Sequence, residues 1–299
     1  MVIVIVGPTG VGKTALSLEL AKKYQTDIIS GDSVQVYRQL NIGSAKITAE
    51  EMDGIKHHMI DILDPRESFS VALYQKRVRE TIDALMRQNK LPILVGGTGF
   101  YIKSVLHDFN FDDTARDFDF EKNTESIPNE VLHQRLMRVD PATGEQIHPN
   151  NRKRVLHALK RATTNNPLSQ HNNHQAVVYP YLMIGLRKER TLLYERINQR
   201  VLTMIKSGLI EEVKALYDAN IKSTSVEAIG YKELYGYFNQ EYTLEEAISL
   251  IQRNSRRYAK RQMTYFNHQF NVHWIDVDNK PLKDVVDVAS QMIEKALNK

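Results

Sequence analysis

Val-Ile-Val-Ile-Val-Gly-Pro-Thr-Gly-Val-Gly-Lys-Thr, residues 2–14, decides the fold of this chain. Five apolar, mostly β-branched residues, Val2 to Val6, read as a strand buried on both faces. G-x-x-x-x-G-K-T follows from Gly7 to Thr14, and Ala15, Leu16, Leu18, Leu20 and Ala21 then mark an amphipathic helix. Strand, glycine-rich loop and helix in that order form the context of a phosphate-binding P-loop. Gly7, Gly10 and Gly12 let the backbone turn tightly enough for its N–H groups to converge on an anion, and Pro8, Thr9 and Val11 complete the loop. The helix starting near Lys13 adds the positive end of its dipole. Lys13 brings a cation to terminal phosphate oxygens, and Thr14 a hydroxyl to Mg²⁺. The plain alternative is a glycine turn that binds nothing. The loop alone does not say which phosphate it holds, or whether a phosphoryl group moves.

The 299 residues suit one large domain or two smaller ones. A hydrophobic share of 42% with 25% charged residues is that of an ordinary soluble protein. Zero cysteines exclude disulfides and Cys-ligated zinc or iron–sulfur sites. No apolar run approaches the ~18 to 20 residues of a membrane span, and the first strand lacks the basic residues and length of a signal peptide. A cytoplasmic location is the expectation. A net charge of +4 is too small to imply nucleic acid by itself, so the placing of the bases matters more.

Beyond the first helix, Thr26 to Ser30 reads as a second strand running into Gly31-Asp32-Ser33-Val34-Gln35-Val36-Tyr37. Polar residues just past a strand's C-terminal end lie where open α/β sheets bind ligands. Asp32 is thus either a catalytic carboxylate or a turn and capping aspartate. His57 to Pro65 reads as a third strand in which only one of the two histidines faces any site, and packed or surface histidines are the simpler reading. Asp61 has both a metal and a capping reading. Ser70 opens a helix to about Asn89. Leu91 to Val95 is a fourth strand ending in Gly96-Gly97-Thr98 rather than in the acidic residue usual in motor ATPases. Those small residues suit close backbone approach to a ligand with a hydroxyl donor, or a simple strand-to-helix turn.

Asp108 to Asp119 reads as a hinge or linker. A helix over Asn129 to Val139, a turn at Asp140-Pro141 and a basic helix beginning at Asn151 follow. Lys153, His157, Lys160 and Arg161 share one face of that helix, which suits either a phosphate backbone or solvent. Thr163 to Ala176 shows no periodicity and reads as a mobile loop. Residues 108–178 therefore form a helical insertion, and residues 1–107 with 179–299 the α/β core. The core resumes with a strand over Tyr181 to Leu186 and helices over about Lys188 to Ser207 and Ile210 to Ala219. A helix from Thr243 runs to Phe266. On it Arg253, Arg257, Lys260, Arg261 and Thr264 form one stripe without acidic neighbours, an anion site in preference to a solvated face. A strand at Val272 to Val277 and a helix from about Leu282 close the chain.

GPTGVGKT (7–14), DSVQVYR (32–38), IGSAK (42–46), HHMIDILDP (57–65), LVGGTGFY (94–101), HPNN (148–151), AIGYKEL (228–234) and RRYAKRQMTYF (256–266) occur in this order. Together they resemble the tRNA dimethylallyltransferases, or tRNA isopentenyltransferases, across nearly the whole chain, and the lack of a zinc-finger extension resembles the bacterial type. Asn151 and Tyr265 depart mildly from the Asp and Trp of many members. The resemblance implies an α/β fold with a P-loop NTPase-like core, a parallel sheet flanked by helices and an inserted helical domain. It implies transfer of a dimethylallyl group from dimethylallyl pyrophosphate to N6 of the adenosine 3′-adjacent to the anticodon, with tRNA and dimethylallyl pyrophosphate as partners and Mg²⁺ as cofactor. By the same resemblance Asp32 is the general base and Thr98 lines a channel. Gly7, Pro8, Thr9, Gly10, Val11, Gly12, Lys13 and Thr14 hold pyrophosphate together with Arg257, Lys260 and Arg261, the last three alternatively holding tRNA phosphates, and Thr14 ligates the metal. Asp32, Ser33, Val34, Gln35, Thr98, Arg152, Lys153, Arg154 and His157 meet tRNA. No obligate protein partner is evident and a monomer is expected. A small-molecule P-loop kinase leaves both basic helices unexplained, and an ATP-gated RNA-binding protein leaves Asp32 and Gly96 to Thr98 idle.

Overall fold

The computed structural model describes residues 1–109, 111, 120, 123–163, 167–171 and 176–298. The chain folds as two compact units, one made of Met1–Leu106 with Val178–Lys299 and the other of His107–Val177.

The larger unit is an α/β fold. Its strands are β1 (Val2–Val6), β2 (Ile28–Gly31), β3 (His57–His58), β4 (Ile93–Gly96), β5 (Tyr181–Arg187) and β6 (His273–Asp276). They form one parallel sheet in the order β3-β2-β4-β1-β5-β6. β1 is central, and all five of its residues are buried. Val2, Val4 and Val6 enter one apolar core with residues such as Tyr74, Ile82, Leu234 and Phe266 from helices Val71–Arg87, Tyr231–Phe238 and Leu244–Gln269. Ile3 and Ile5 enter a second core with Leu16 and Leu20 of helix Lys13–Lys23 and Val285, Ala289 and Ile293 of helix Leu282–Leu297. A strand roofed on both faces needs apolar residues at every position, so β1 shows no alternation.

The register of this sheet assembles the site. Val6 pairs with Gly96, and Gly96 pairs with Gly31, so the last residues of β1, β4 and β2 lie in one row. The next residues, Gly7, Gly97 and Asp32, are the first beyond that row. Adjacent strands are about 4.8 Å apart, which brings three loops together at the sheet's C-terminal edge.

Several local readings change. The third strand keeps only His57 and His58, because the chain turns away through Met59 (φ 65°) and Asp61 (φ 55°). Leu63 still makes one parallel bridge to Tyr37. His58 Nε2 pairs with Asp27 Oδ2 at 2.8 Å, His57 Nδ1 faces the Ile55 carbonyl at 2.9 Å, and Lys46 Nζ donates to Asp61 Oδ1 at 2.6 Å. These residues brace the fold; Asp61 is a lysine's partner. Asp140-Pro141 opens a short helix, Pro141–Gln146, in which Asp140 accepts the Thr143 N–H at 3.2 Å and proline takes the first turn. The linker reading of Asp108–Asp119 lies mostly outside the described residues. So does much of the loop reading of Thr163–Ala176, within which Leu168–His171 form a 3₁₀ turn.

Within the smaller unit, helices Asn129–Val139 and Arg152–Thr163 share a core of Leu132, Leu136, Ile147, Val155, Ala158 and Leu159. Arg161 is buried, so it leaves the exposed basic face. The helical period that sets Lys153 outward turns Arg161 in beside Ala158.

In the larger unit, the IGSAK loop is held by Glu212. Its carboxylate accepts the N–H groups of Asn41, Ile42 and Gly43 at 2.9, 2.8 and 3.1 Å, and the Tyr231 hydroxyl at 2.7 Å. Replacing Glu212 by alanine strips charge-assisted acceptors from four donors. A loss of about 2–3 kcal/mol is expected in denaturant unfolding, with faster hydrogen exchange at residues 41–43. Unchanged exchange there would show that the loop stands without this carboxylate.

Candidate active site

The P-loop has the left-handed backbone its glycines permit, with φ of 80° at Gly10 and 111° at Gly12. Lys13 Nζ donates to the carbonyls of Gly7 and Pro8 at 3.0 and 2.9 Å, folding its ammonium back over the loop. Burial and then the neighbouring Arg200 guanidinium push the Lys13 ammonium down to about 8, against the pull of Asp32. Thr14 is exposed on the cavity formed by this loop.

Asp32 follows β2 at the next register position. Its Oδ1 accepts the N–H groups of Val34 and Gln35 at 2.8 and 3.3 Å, which is the turn role an aspartate fills at such a bend. Those bonds fix the carboxylate and leave Oδ2 without a hydrogen bond among the described residues. The turn role therefore does not exclude a chemical one. Ser33 and Val34 line the smaller cavity. Gln35 is engaged within the protein: its carbonyl accepts the Ser30 hydroxyl at 3.1 Å, and its amide donates to the Ser44 and Ala45 carbonyls at 3.3 and 3.4 Å. Thr98 Oγ1 is buried and makes no well-formed hydrogen bond. The Tyr258 hydroxyl faces Thr98 and Gln262, and burial pushes that phenol's pKa up.

Two cavities meet here. One, of about 1000 Å³, is lined by Lys13, Thr14, Gly97, Arg196 and Gln262 among others. The other, of about 350 Å³, is walled by apolar Ile197, Val201, Met204, Leu209, Ile229 and Ile251. Thr9, Asp32, Arg200 and Tyr258 line both. Arg200 donates to Thr9 Oγ1 at 3.4 Å. Desolvation and Arg196 push its pKa down while Asp32 pulls it up, and no carboxylate among the described residues pairs with it at ion-pair distance. The loop therefore holds converging cations, an anion-shaped charge pattern. No cluster of three or more His, Asp or Glu residues fit for a metal occurs among the described residues. The Thr14 hydroxyl and the cavity's space suit a divalent cation held largely by other oxygen ligands.

The basic stripe of helix Leu244–Gln269 is exposed at Arg253, Arg257, Lys260, Arg261 and Thr264. Only Arg261 of these lines a cavity, with its guanidinium 5.7 Å from the Tyr258 ring centre. Arg257 and Lys260 line neither cavity, because the opposite face of the same helix buries Ala259, Gln262 and Phe266. In the smaller unit Arg152 donates to the carbonyls of Ile127, Thr124 and Glu125 and to Asn129 Oδ1, which makes it a staple of its own unit. Lys153 and Arg154 are exposed. His157 is exposed; local desolvation, with the Arg161 and Lys160 charges nearby, lowers its pKa and disfavours a cationic imidazole.

A family model described as IPP transferase matches residues 35–269. The chain belongs to the IPP transferase family. It is similar to the tRNA dimethylallyltransferase of Bacillus subtilis, with 49% identity over 92% of this chain and 90% of that one. It also resembles the crystal structure of the tRNA delta(2)-isopentenylpyrophosphate transferase of Staphylococcus epidermidis, with a TM-score of 0.75, 42% identity and 99% of each chain covered. A eukaryotic dimethylallyltransferase acting on tRNA superposes with a TM-score of 0.84 at 27% identity, covering 98% of this chain and 79% of that one.

Sequence reasoning missed two residues of this family member's site. Arg200 sits on helix Arg190–Lys206, where Leu192, Arg196 and Thr203 face the same cavity. The available signal was an i, i+4 arginine pair on the helix that follows β5 at the ligand edge. Gln262 lay inside the basic motif, but its inward direction is a tertiary fact.

An anion in the loop raises the Lys13 pKa again, so binding takes up protons near pH 8. Affinity for inorganic pyrophosphate should be flat below that pH and fall about tenfold per unit above it. Calorimetry in buffers of different ionisation enthalpy reads the proton directly, and binding with no proton uptake at pH 8 to 9 would place Lys13 outside the anion site.

Proposed function

We propose that the protein transfers a dimethylallyl group from dimethylallyl pyrophosphate to N6 of the adenosine immediately 3′ of the anticodon in tRNA, releasing pyrophosphate. The observation that carries this reading is the junction at Asp32, which lines both the cationic P-loop cavity and the apolar one. That junction suits a substrate with a pyrophosphate head and a reaction that ends in proton loss.

The allylic C–O bond breaks, its electron pair leaves with pyrophosphate, and the N6 lone pair forms the new C–N bond. Lys13, Arg200 and the loop amides hold the pyrophosphate and stabilise the charge it gains. Thr14 would hold Mg²⁺, which would supply further positive charge at the leaving group. The N6 proton passes to the open Oδ2 of Asp32, whose orientation the Val34 and Gln35 amides set. Tyr258 walls the reacting region with Thr98 buried beside its hydroxyl, and the apolar residues of the smaller cavity keep water away as a competing nucleophile. The adenosine leaves its stack to reach this region.

Ser33 and Val34 meet the nucleotides beside the target, while Gln35, its amide spent on Ser30, Ser44 and Ala45, holds that turn in place. Lys153 and Arg154, with the exposed Arg257 and Lys260, supply phosphate contacts that hold tRNA without reading its sequence. Among the described residues no helix is long and apolar enough to cross a membrane. A tRNA substrate makes the cytoplasm the expected site of action.

Purified protein given radiolabelled dimethylallyl pyrophosphate, Mg²⁺ and an unmodified anticodon stem-loop should label the RNA, and an A-to-G change at the target should abolish the label. Asp32→Ala should lower turnover by about 10²- to 10⁴-fold while tRNA still binds. Turnover at the normal rate in that variant would remove Asp32 from the chemistry. Lys153→Ala and Arg154→Ala should each reduce the salt dependence of tRNA binding by about one phosphate contact. An unaltered salt slope in both would exclude these bases from the RNA contact.

A further inference from the structure

Helix Leu244–Gln269 sends one buried polar side chain into the P-loop. Gln262 is 6% exposed. Its Oε1 accepts the Thr9 N–H at 3.0 Å, and its Nε2 donates to the Gly97 carbonyl at 3.1 Å. One amide therefore joins the loop after β1 to the loop after β4 from a helix more than 160 residues further along the chain. Gly97 is shaped to this amide: a Cβ built there falls on Gln262 Nε2. The backbone at Gly97 is not left-handed, so the close approach is what calls for glycine at this position.

We infer that Gln262 is a positioning residue that sets the P-loop against the Gly96 to Thr98 turn, and so fixes the pyrophosphate cradle relative to Asp32 and Thr98. The inference rests on the transfer reaction proposed above. Three physical points carry it. The amide uses a donor and an acceptor at once, a pairing that neither glutamate nor methionine reproduces at neutral pH. The Thr9 N–H is committed to Gln262, which leaves the following loop amides for the anion. The Gly97 carbonyl is likewise committed, so the turn cannot rotate that acceptor towards bound pyrophosphate. The bridge lies beside the reacting groups: Thr9 and Gln262 both line the P-loop cavity with Asp32.

Three variants test this. Gln262→Met keeps the volume and loses both bonds. Its melting temperature should stay within a few degrees of wild type while kcat falls about 10²-fold, the scale of a small misplacement of reacting groups. Gln262→Glu keeps the acceptor for Thr9 but sets a carboxylate against the Gly97 carbonyl, which raises its pKa. At pH 8 its KM for dimethylallyl pyrophosphate should be about tenfold above wild type. Towards pH 6 the ratio should return to near one, because the protonated acid donates as the amide does. Gly97→Ala pushes the amide aside and should match Gln262→Met, and the double variant should be no worse than either single one.

Binding of inorganic pyrophosphate by calorimetry separates this inference from the reaction assignment. The pH-dependent defect of Gln262→Glu should appear in that binding without tRNA. If it does while wild type transfers no prenyl group, the reaction is wrong and the positioning role stands. Wild-type kcat, KM and pH profile in both folded Gln262 variants, with or without a lowered melting temperature, would reduce Gln262 to a stability role and overturn the inference.

Discussion

Parallel strands end where their helices begin, and in this protein three of them end on one row. Val6, Gly96 and Gly31 are hydrogen-bonded neighbours, so the P-loop, the Gly97-Thr98 turn and Asp32 emerge side by side. No side-chain contact could hold three loops from distant parts of the chain in such close order if that register slipped. In a sheet covered on both faces, a one-residue slip would move every residue of the slipped strand to the wrong core, so register is strongly fixed. The chemistry inherits its precision from burial of the Val2–Val6 run.

The electrostatics follow from that convergence. Lys13, Arg200 and Arg196 gather around a loop whose free N–H groups add to the same field. Burial, and then a neighbouring arginine, weakens the hold of Lys13 and of Arg200 on their protons, a strain that a bound anion would relieve. The Gly7 and Pro8 carbonyls hold the Lys13 ammonium folded over the loop. Asp32 is the counterweight. Its carboxylate is close enough to favour the charged forms of Lys13 and Arg200, yet one oxygen is tied to the turn amides and the other faces the cavity. A cluster of cations and a carboxylate thus share one small region.

Long-range fasteners complete the arrangement. Gln262 ties the long helix to two loops, Glu212 closes the Asn41–Gly43 loop, and buried Glu233 accepts the Asn254 amide at 2.7 Å and the Gly230 N–H at 2.7 Å. Each spends a polar side chain on backbone or side-chain donors inside the fold. Motifs that carry the family resemblance are in part such fasteners: AIGYKEL contributes Glu233, IGSAK contributes Lys46, and the basic motif contributes Gln262. Polar residues that satisfy buried backbone groups look the same in a sequence as residues that touch a substrate.

Residues 2–14 determined the P-loop by themselves, because apolar run, glycine spacing and helix period are local and each has one economical reading. The family was likewise legible, since eight motifs in fixed order leave little else. The long helix was legible as a helix through its Thr243 cap and its period, but its period could not say which face turns inward. Tertiary packing decided that Gln262 points to the loop and that Arg257 and Lys260 face solvent. It made Arg152 a staple and Arg161 a buried residue, where charge alone suggested RNA contacts for Arg152 and an exposed basic face for Arg161. It recruited Arg200 from a helix whose sequence offered an arginine pair but not what that pair would face. The division has one physical cause: backbone geometry is set by near neighbours, whereas the partner of a charged or amide side chain is set by whatever the fold brings alongside it.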